Sequence, residues 1–186
     1  MENKELKKRM QKLAGIIKEN KIIDSIDFDN IFYLGKGEFG KAYLIGNNMV
    51  LKLTSSKTEY EIANKILNAN SKLYNDAFAN IYEVGKYKND YYIIMEELDT
   101  DSKIEDLYYE LTNLLDQQNL PIQYVGYLEY NEDEISDELK NFINSIDYIN
   151  RAYNNLGIEA SDIQPDNLGY DKNNNLKAFD IDTKNK

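Results

Sequence analysis

Oxygen-bearing side chains near the C-terminal end of the chain have the types and spacing of a metal and phosphate site. Asp162 and Asn167 lie five positions apart, and Asp180 follows two short apolar segments that flank the turn Asn173–Asn175. This pattern predicts a β-hairpin. Because a hairpin brings its ends together, we expect the three side chains to converge. Gathered carboxylate and amide oxygens suit Mg²⁺, which proteins usually hold with one or two carboxylates plus substrate phosphates.

A second candidate phosphate site lies earlier, where Gly35, Gly37 and Gly40 have the spacing Gly-x-Gly-x-x-Gly between two apolar segments. Glycines let the backbone approach phosphates closely, which a Cβ would prevent. Phe39 is expected at the tip of this loop as a lid. The same spacing occurs in the Rossmann motif, but that motif needs a helix directly afterwards. Residues 41–45 instead continue as a predicted strand, which favours a strand–turn–strand loop.

A lysine in the middle of an apolar strand provides a candidate cation for the phosphates. Residues 49–54 are predicted as a strand, so Lys52 shares a face with Val50 and Thr54. Residues 56–67 follow with the apolar spacing of a helix. A lone lysine in a strand is usually an edge or solvent-facing residue. A functional role for Lys52 therefore depends on the neighbouring motifs.

In this order, the motifs resemble those of the protein-kinase-like superfamily. Its catalytic loop has the pattern His-Arg-Asp-Leu-x-x-x-Asn, followed by Asp-Phe-Gly, and the spacing of Asp162, Asn167 and Asp180 agrees with it. The chain departs from the pattern in three places. Ala160 and Ser161 replace His-Arg, Gln164 replaces the loop lysine, and Asp182 replaces the glycine. Small-molecule kinases of the aminoglycoside and choline kinase types also lack the arginine and vary at the position of the loop lysine.

The resemblance implies a role for each motif. Asp162 would be the catalytic base, Asn167 and Asp180 would bind Mg²⁺, and Lys52 would bind the phosphates of ATP. A glutamate on the helix after the lysine strand would orient that lysine. Glu59 fits the apolar positions of this helix better than the alternative, Glu61. The backbone of Glu96 and Leu98 would bind adenine, and the implied nucleotide-binding residues are Gly35, Gly37, Phe39, Gly40, Lys52, Met95, Glu96 and Leu98.

The predicted strands and helices that carry these residues indicate an α+β fold. Five predicted strands, the last two within 80–87 and 91–98, form an antiparallel sheet with one helix, which resembles a kinase N-lobe. Predicted helices within 101–119 and 131–156 precede the catalytic loop and form a reduced, mainly helical C-lobe. We therefore divide the chain into an N-terminal helical extension (1–27), a kinase-like N-lobe (28–98) and a truncated kinase-like C-lobe (99–186), together one compact bilobal unit.

The first 20 residues have the pattern of an amphipathic helix. Five apolar residues lie at helical spacing, and five basic residues lie mostly on the other face: Leu6, Met10, Leu13, Ile16 and Ile17, against Lys4, Lys7, Lys8, Arg9 and Lys12. Two interpretations stay open. Either the helix packs on the N-terminal lobe, or it binds a membrane or a partner through its basic face.

Composition excludes several classes of chemistry. The sequence has no Cys and no His, so disulfides, thiolate sites, imidazole bases and His-ligated metals are excluded. The net charge of −11 disfavours direct nucleic-acid binding and favours a basic substrate or a basic protein partner. With neither a membrane span nor a secretory leader in the sequence, we expect no membrane association and a cytoplasmic location.

The resulting expectation is a minimal phosphotransferase that uses ATP and Mg²⁺ and phosphorylates a hydroxyl on a protein or a basic small molecule. The main alternative is a pseudokinase-like acidic protein that binds or inhibits a partner without catalysis. A third possibility is an acidic surface that mimics nucleic acid and blocks a DNA-binding protein. Binding that depends on salt but not on nucleotide would separate the last two from the enzyme.

Overall fold

The computed structural model describes residues 21–69, 71–101, 103–158 and 163–181. The predicted helix in the first 20 residues therefore lies outside the described residues. So do Asp162, the predicted catalytic base, and Asp182, which stands in the glycine position of the metal motif.

Five strands form one antiparallel sheet, as predicted. They are β1 (Phe32–Lys36), β2 (Gly40–Leu44), β3 (Met49–Thr54), β4 (Ile81–Tyr87) and β5 (Asp90–Glu96), in the order β1-β2-β3-β5-β4. The central strand β3 pairs with β2 on one side and β5 on the other, and Lys52 lies opposite Ala42 and Ile93. Alternation along β3 places Lys52 on one face of the sheet and Leu51, which is fully buried, on the other.

Four helices and a small hairpin complete the described fold. The helices are α1 (Lys57–Ala69), α2 (Lys72–Ala77), α3 (Lys103–Gln117) and α4 (Asp137–Leu156), and the hairpin is β6 (Leu168–Tyr170) with β7 (Leu176–Ala178). Short 3-10 helices cover Ile22–Ser25, Ile122–Tyr127 and Pro165–Asn167. The predicted α+β class is confirmed. Among the described residues, no helix combines the length and the apolar character needed to cross a membrane.

Helix α2 is an addition to the single helix expected beside the sheet. It buries Tyr74 and Ala77 and packs against α4 and β7, so it belongs with the helical half of the molecule. The Tyr74 hydroxyl donates a hydrogen bond to Asn155 Oδ1 in α4 (2.6 Å). With only six residues, α2 is too short to show a helical period in the sequence.

Helix α4 has clear start and stop signals. The Ser136 hydroxyl accepts a hydrogen bond from the amide of Leu139 (3.1 Å), which caps the N-terminus. Gly157 follows the last residue of the helix and has φ +76°, a left-handed conformation that glycine adopts at little cost. Between these caps the helix buries an apolar face that includes Phe142, Ile146 and Ile149.

One hydrophobic core joins the sheet to the helices. It contains Ile62 of α1, Ile93 of β5, Leu111 of α3 and Ile146 of α4 in a single cluster of contacting side chains. A smaller cluster covers the other face of the sheet, where Ile23 packs on Leu51, Tyr92 and Ile94. Residues 22–26, which we assigned to the N-terminal extension, thus pack against the sheet.

Candidate functional site

A cleft of about 2060 Å³ lies between the sheet and the helical half. It exceeds the roughly 300–1,000 Å³ of a typical small-molecule site, so it has room for a nucleotide and a second molecule. Most of the predicted site residues line it: Gly35, Gly37, Gly40, Lys52, Met95, Glu96, Leu98, Asn167 and Asp180. The sequence motifs therefore meet in one cavity, although they come from widely separated parts of the chain.

Three charged groups from three elements meet in the cleft. Lys52 Nζ lies 2.5 Å from Glu59 Oε1 and 3.0 Å from Asp180 Oδ1. Strand alternation points Lys52 towards the helical side, and the first turn of α1 supplies Glu59, whose amide donates to the Ser56 hydroxyl (3.2 Å). Asp180 follows β7 directly. The Glu59 side chain is only 1% exposed, so it lies behind the lysine and not on the cleft surface.

The ion pairs control the protonation of this cluster. Burial lowers the pKa of Lys52, but the charges of Glu59 and Asp180, with the hydrogen bonds they accept, outweigh it and raise the pKa above its ordinary value of 10.5. Lys52 is therefore a permanent cation in the cleft at neutral pH. A fixed, partly buried ammonium group can donate charge-assisted hydrogen bonds to a phosphate that enters the site. The two carboxylates leave the cluster with a net negative charge, so a metal ion would be needed to balance the phosphate.

The structure also separates the two candidate glutamates. Glu59 pairs with Lys52 in the interior, whereas Glu61 pairs with Lys57 at 2.7 Å on the surface of α1, where both side chains are more than half exposed. The helical period explains this difference, because Glu59 lies three positions before the buried Ile62 and shares its face.

The β6–β7 hairpin brings Asn167 next to the segment that carries Asp180. The amide of Phe179 donates to the carbonyl oxygen of Asn167 (3.0 Å), and Tyr153 in α4 donates its hydroxyl to the carbonyl oxygen of Asp180 (2.9 Å). The described residues contain no cluster of three or more Asp, Glu, His or Cys arranged to hold a metal ion. One carboxylate and one amide fit Mg²⁺ provided that phosphate oxygens complete its ligand set.

The glycine-rich turn closes tightly between β1 and β2. The amide of Gly37 donates to the carbonyl oxygen of Gly40 (3.0 Å). A Cβ on Gly40 would collide with the Leu53 carbonyl oxygen in β3, so a glycine is needed there for the strands to approach. A Cβ on Gly37 would meet open space.

Phe39 differs in position from the cleft-lining residues of this turn. Its side chain is 41% exposed, and it is not among the described residues that line the cleft. Its carbonyl oxygen accepts hydrogen bonds from the amide (2.8 Å) and the hydroxyl (3.0 Å) of Ser55. The backbone at the tip is thus tied to the end of β3. A lid role for the Phe39 ring stays a prediction.

Residues 96–99 join the sheet to the helical half, and backbone hydrogen bonds fix both ends of this segment. The amide of Glu96 donates to the carbonyl oxygen of Asn80 (2.9 Å). Asp99 and Tyr170 then exchange two backbone hydrogen bonds of 2.9 and 2.8 Å, which fasten the segment to the hairpin. A side chain at Gly169 would clash with Leu98 Cβ at 2.6 Å. This close packing fixes the part of the cleft expected to hold adenine.

Sequence reasoning missed a second buried charge cluster in the cleft wall. Lys177 in β7 is 4% exposed and lies 2.6 Å from Glu96 Oε1 and 3.4 Å from Asp171 Oδ2. Burial raises the pKa of Asp171, but hydrogen bonds from Asn175 and Asn173 and the charge of Lys177 outweigh it and bring the pKa below 3.8. The sequence did contain a sign of this cluster, because Lys177 lies between apolar residues of a short strand, just as Lys52 does.

No protein-family model matches the chain, and no curated protein matches it either.

Proposed function

We propose that this chain is a minimal kinase-like phosphotransferase, which transfers the γ-phosphate of ATP to a hydroxyl group. The observation that carries the proposal is the position of Lys52, which lies within 3.0 Å of both Glu59 and Asp180 in a cleft lined by the glycine-rich turn. A buried lysine held by one carboxylate and facing another, beneath a glycine-rich turn, is the arrangement that protein kinases use for phosphoryl transfer.

Each residue of the cleft then has a distinct task. The backbone of the turn around Gly35 and Gly37 covers the phosphates, and Lys52 binds their oxygens while Glu59 holds its ammonium group in place. The apolar side chains of Met95 and Leu98 pack against the base, and the carbonyl oxygen of Glu96 and the backbone of Leu98 form hydrogen bonds with it. Catalysis of this kind depends mainly on positioning and charge neutralisation, which these fixed groups provide.

Asn167 and Asp180 would hold Mg²⁺. When bound, the ion would neutralise and orient the phosphates. Asp180 Oδ1 is paired with Lys52, so nucleotide entry would share the lysine between the carboxylate and a phosphate. Asp162, which lies outside the described residues, is proposed to accept the proton of the acceptor hydroxyl. The sequence contains no His, so no imidazole can replace it.

Binding of a fluorescent ATP analogue, measured with and without Mg²⁺, tests the nucleotide site. Lys52→Met should weaken binding at least tenfold, and Lys57→Met, which removes an exposed lysine of the adjacent helix, should leave it unchanged. Asp180→Asn should weaken binding in Mg²⁺ more than in its absence. Equal binding by Lys52→Met and the wild type, or no binding by either, would contradict the proposal.

Transfer itself is tested by incubation with γ-labelled ATP and host-cell extract. Asp162→Asn should lose about 10²-fold or more of the transfer rate while it keeps its affinity for ATP, since a general base contributes on that scale. If the wild type binds nucleotide but labels no protein and no small molecule, the pseudokinase-like alternative is favoured. Salt-sensitive capture of a basic protein without any nucleotide effect would favour an acidic binding protein.

A further inference from the structure

Tyrosine hydroxyl groups from two helices hold the segments that carry the proposed metal ligands, Asn167 and Asp180. The Tyr108 hydroxyl in α3 donates a hydrogen bond to the carbonyl oxygen of Ile163 (2.8 Å), at the start of the segment that ends in Asn167. The Tyr153 hydroxyl in α4 donates to the carbonyl oxygen of Asp180 itself (2.9 Å). Each segment therefore has one main-chain carbonyl group tied to a helix of the core.

These two bonds differ from those of the other tyrosines. In the described part of the chain, three further tyrosine hydroxyls donate hydrogen bonds to described residues, and all three donate to side chains: Tyr74 to Asn155, Tyr92 to Glu83, and Tyr148 to Asp76. A bond to a side chain satisfies the hydroxyl, whereas a bond to a main-chain carbonyl also restrains the path of the backbone. Among these tyrosines, the two that restrain the backbone are thus the two at the proposed metal site.

The ring of Tyr153 has a fixed direction. It is 2% exposed and meets the ring of Phe78 edge to face, with the centroids 5.0 Å apart and the planes at 87°. Phe78 is itself buried and forms a backbone bridge with Ala178, two residues before Asp180. Because a tyrosine side chain has few rotatable bonds, this packing fixes the hydroxyl and hence the position of the Asp180 carbonyl relative to α4.

The two segments are also joined to each other. The amide of Phe179 donates to the carbonyl oxygen of Asn167 (3.0 Å), and the amide of Asn167 donates to the carbonyl oxygen of Gln164 (2.9 Å). The backbone from Ile163 to Asn167 is thus a closed turn that is tied at one end to α3 and at the other to the segment of Asp180. The separation of the two ligand side chains therefore depends on both tyrosine hydroxyls.

We propose that Tyr108 and Tyr153 are positioning residues for the metal ligands Asn167 and Asp180. The inference rests on the proposed function, because it takes these two side chains as ligands of Mg²⁺. Neither tyrosine is among the described residues that line the cleft, so both act through the main chain and not by contact with the nucleotide. Mg²⁺ demands near-ideal octahedral geometry, and a displaced ligand should therefore weaken metal binding more than nucleotide binding.

Removal of single hydroxyl groups tests the proposal through binding and not through transfer. Mg²⁺ is titrated into the full-length chain with a fluorescent ATP analogue, and the half-maximal concentration of the ion is measured. Tyr153→Phe and Tyr108→Phe should each require about tenfold more Mg²⁺ or higher, since loss of a group that orients a metal ligand typically costs about 10–100-fold in metal affinity. The affinity for the analogue without metal should stay unchanged, because Lys52 and the glycine-rich turn are intact.

Tyr74→Phe is the matched control. Tyr74 is buried, and its hydroxyl donates to a side chain of α4, the helix that also carries Tyr153. Its loss should lower the free energy of unfolding in urea, as in Tyr153→Phe, but leave the Mg²⁺ titration unchanged. A fall in stability alone therefore does not produce the expected result.

Hydrogen exchange in the ligand-free chain gives a readout that needs no nucleotide. The Phe179 amide, which is bonded to Asn167, should exchange faster in Tyr153→Phe than in Tyr74→Phe, because the backbone that follows it has lost its tie to α4. Equal exchange in the two variants would contradict the restraint of the Asp180 segment by Tyr153.

The outcomes separate this inference from the proposed function. If the wild type responds to Mg²⁺ and either variant keeps the wild-type requirement for the ion, the tyrosine replaced in that variant is not a positioning residue, and the proposed function stands. A loss of affinity that is equal with and without Mg²⁺ would overturn the inference in the same way, since it indicates general loosening of the cleft. A wild type that binds no nucleotide, or binds it without any effect of Mg²⁺, would instead contradict the proposed function, and the inference would fall with it.

Discussion

Replacement of Lys177 by Met removes a buried ammonium group and keeps a side chain of similar length. The change leaves Glu96 and Asp171 in the cleft wall without the cation that lies 2.6 and 3.4 Å away. Loss of one partner from a buried ion pair typically costs about 3–5 kcal/mol, because the remaining charge stays desolvated. Both carboxylates also accept backbone hydrogen bonds, from Asn80 and from the turn after β6. We therefore expect the lower end of that range.

A cost of about 3 kcal/mol corresponds to a fall in melting temperature of roughly 6–12 °C for a domain of this size. Urea denaturation followed by far-UV circular dichroism measures the free energy directly. The matched control is Lys57→Met, since the Lys57–Glu61 pair has a similar length, 2.7 Å, but is exposed. This control should lose no more than about 0.5 kcal/mol.

The double variant Lys177→Met with Glu96→Gln should recover part of the loss, because it removes one of the two uncompensated charges. A loss in Lys177→Met no larger than that of the Lys57 control would refute the assignment of a buried charge cluster. If the loss of stability in the double variant equals the sum of the losses in Lys177→Met and Glu96→Gln, the two residues do not interact.

Three further predictions concern separate parts of the fold. Gly40→Ala should destabilise the sheet by more than about 2 kcal/mol and abolish nucleotide binding, whereas Gly37→Ala should cost about 1 kcal/mol or less, as measured by urea denaturation and ATP titration. Asp171→Asn should be less stable than the wild type at neutral pH. Because the pKa of Asp171 is lower in the folded state, this difference should disappear as the pH falls below 3.8 and the wild-type carboxylate is protonated. Ser136→Ala should cost about 1 kcal/mol, because the cap of α4 is lost.

Each of these has an outcome that contradicts it. Similar stabilities for the two glycine variants would show that β2 and β3 do not need the close approach at Gly40. A stability difference for Asp171→Asn that persists unchanged in acid would mean that its carboxylate is not the ionised group described. Wild-type stability in Ser136→Ala, with Ser136→Thr as the conservative control, would remove the capping role.

Local patterns predicted most of the sheet. Strand alternation put Lys52 on the same face as Val50 and Thr54, and helical spacing favoured Glu59 over Glu61, because both depend on residues close in sequence. The meeting of Lys52 with Asp180, which lies 128 positions further along the chain, was expected only from the family resemblance. Pairs of residues far apart in sequence could not be predicted from local patterns. Lys177 and Glu96 are 81 positions apart, and only the fold shows that β7 passes the end of β5.

The missed and untested features have different physical causes. Helix α2 is held by tertiary burial of Tyr74 and Ala77, which short windows of sequence do not show. The backbone of Phe39 is tied to Ser55, a contact across two strands that the local sequence pattern does not show. The role of Asp162 follows only from its spacing to Asn167, and it stays a prediction.

The single hydrophobic core, which runs from Ile62 and Ile93 in the sheet half to Leu111 and Ile146 in the helical half, has a thermodynamic consequence. The boundary near residue 98 separates the sheet half from the helical half, but the two halves form one cooperative folding unit. Each half buries most of the main core only against the other, so we expect fragments cut at this boundary to be far less stable than the whole chain. Heating should give one calorimetric transition, in which the measured enthalpy equals the van't Hoff enthalpy. The cleft exists only as long as the whole unit is folded, and it cannot be lost by melting one lobe alone.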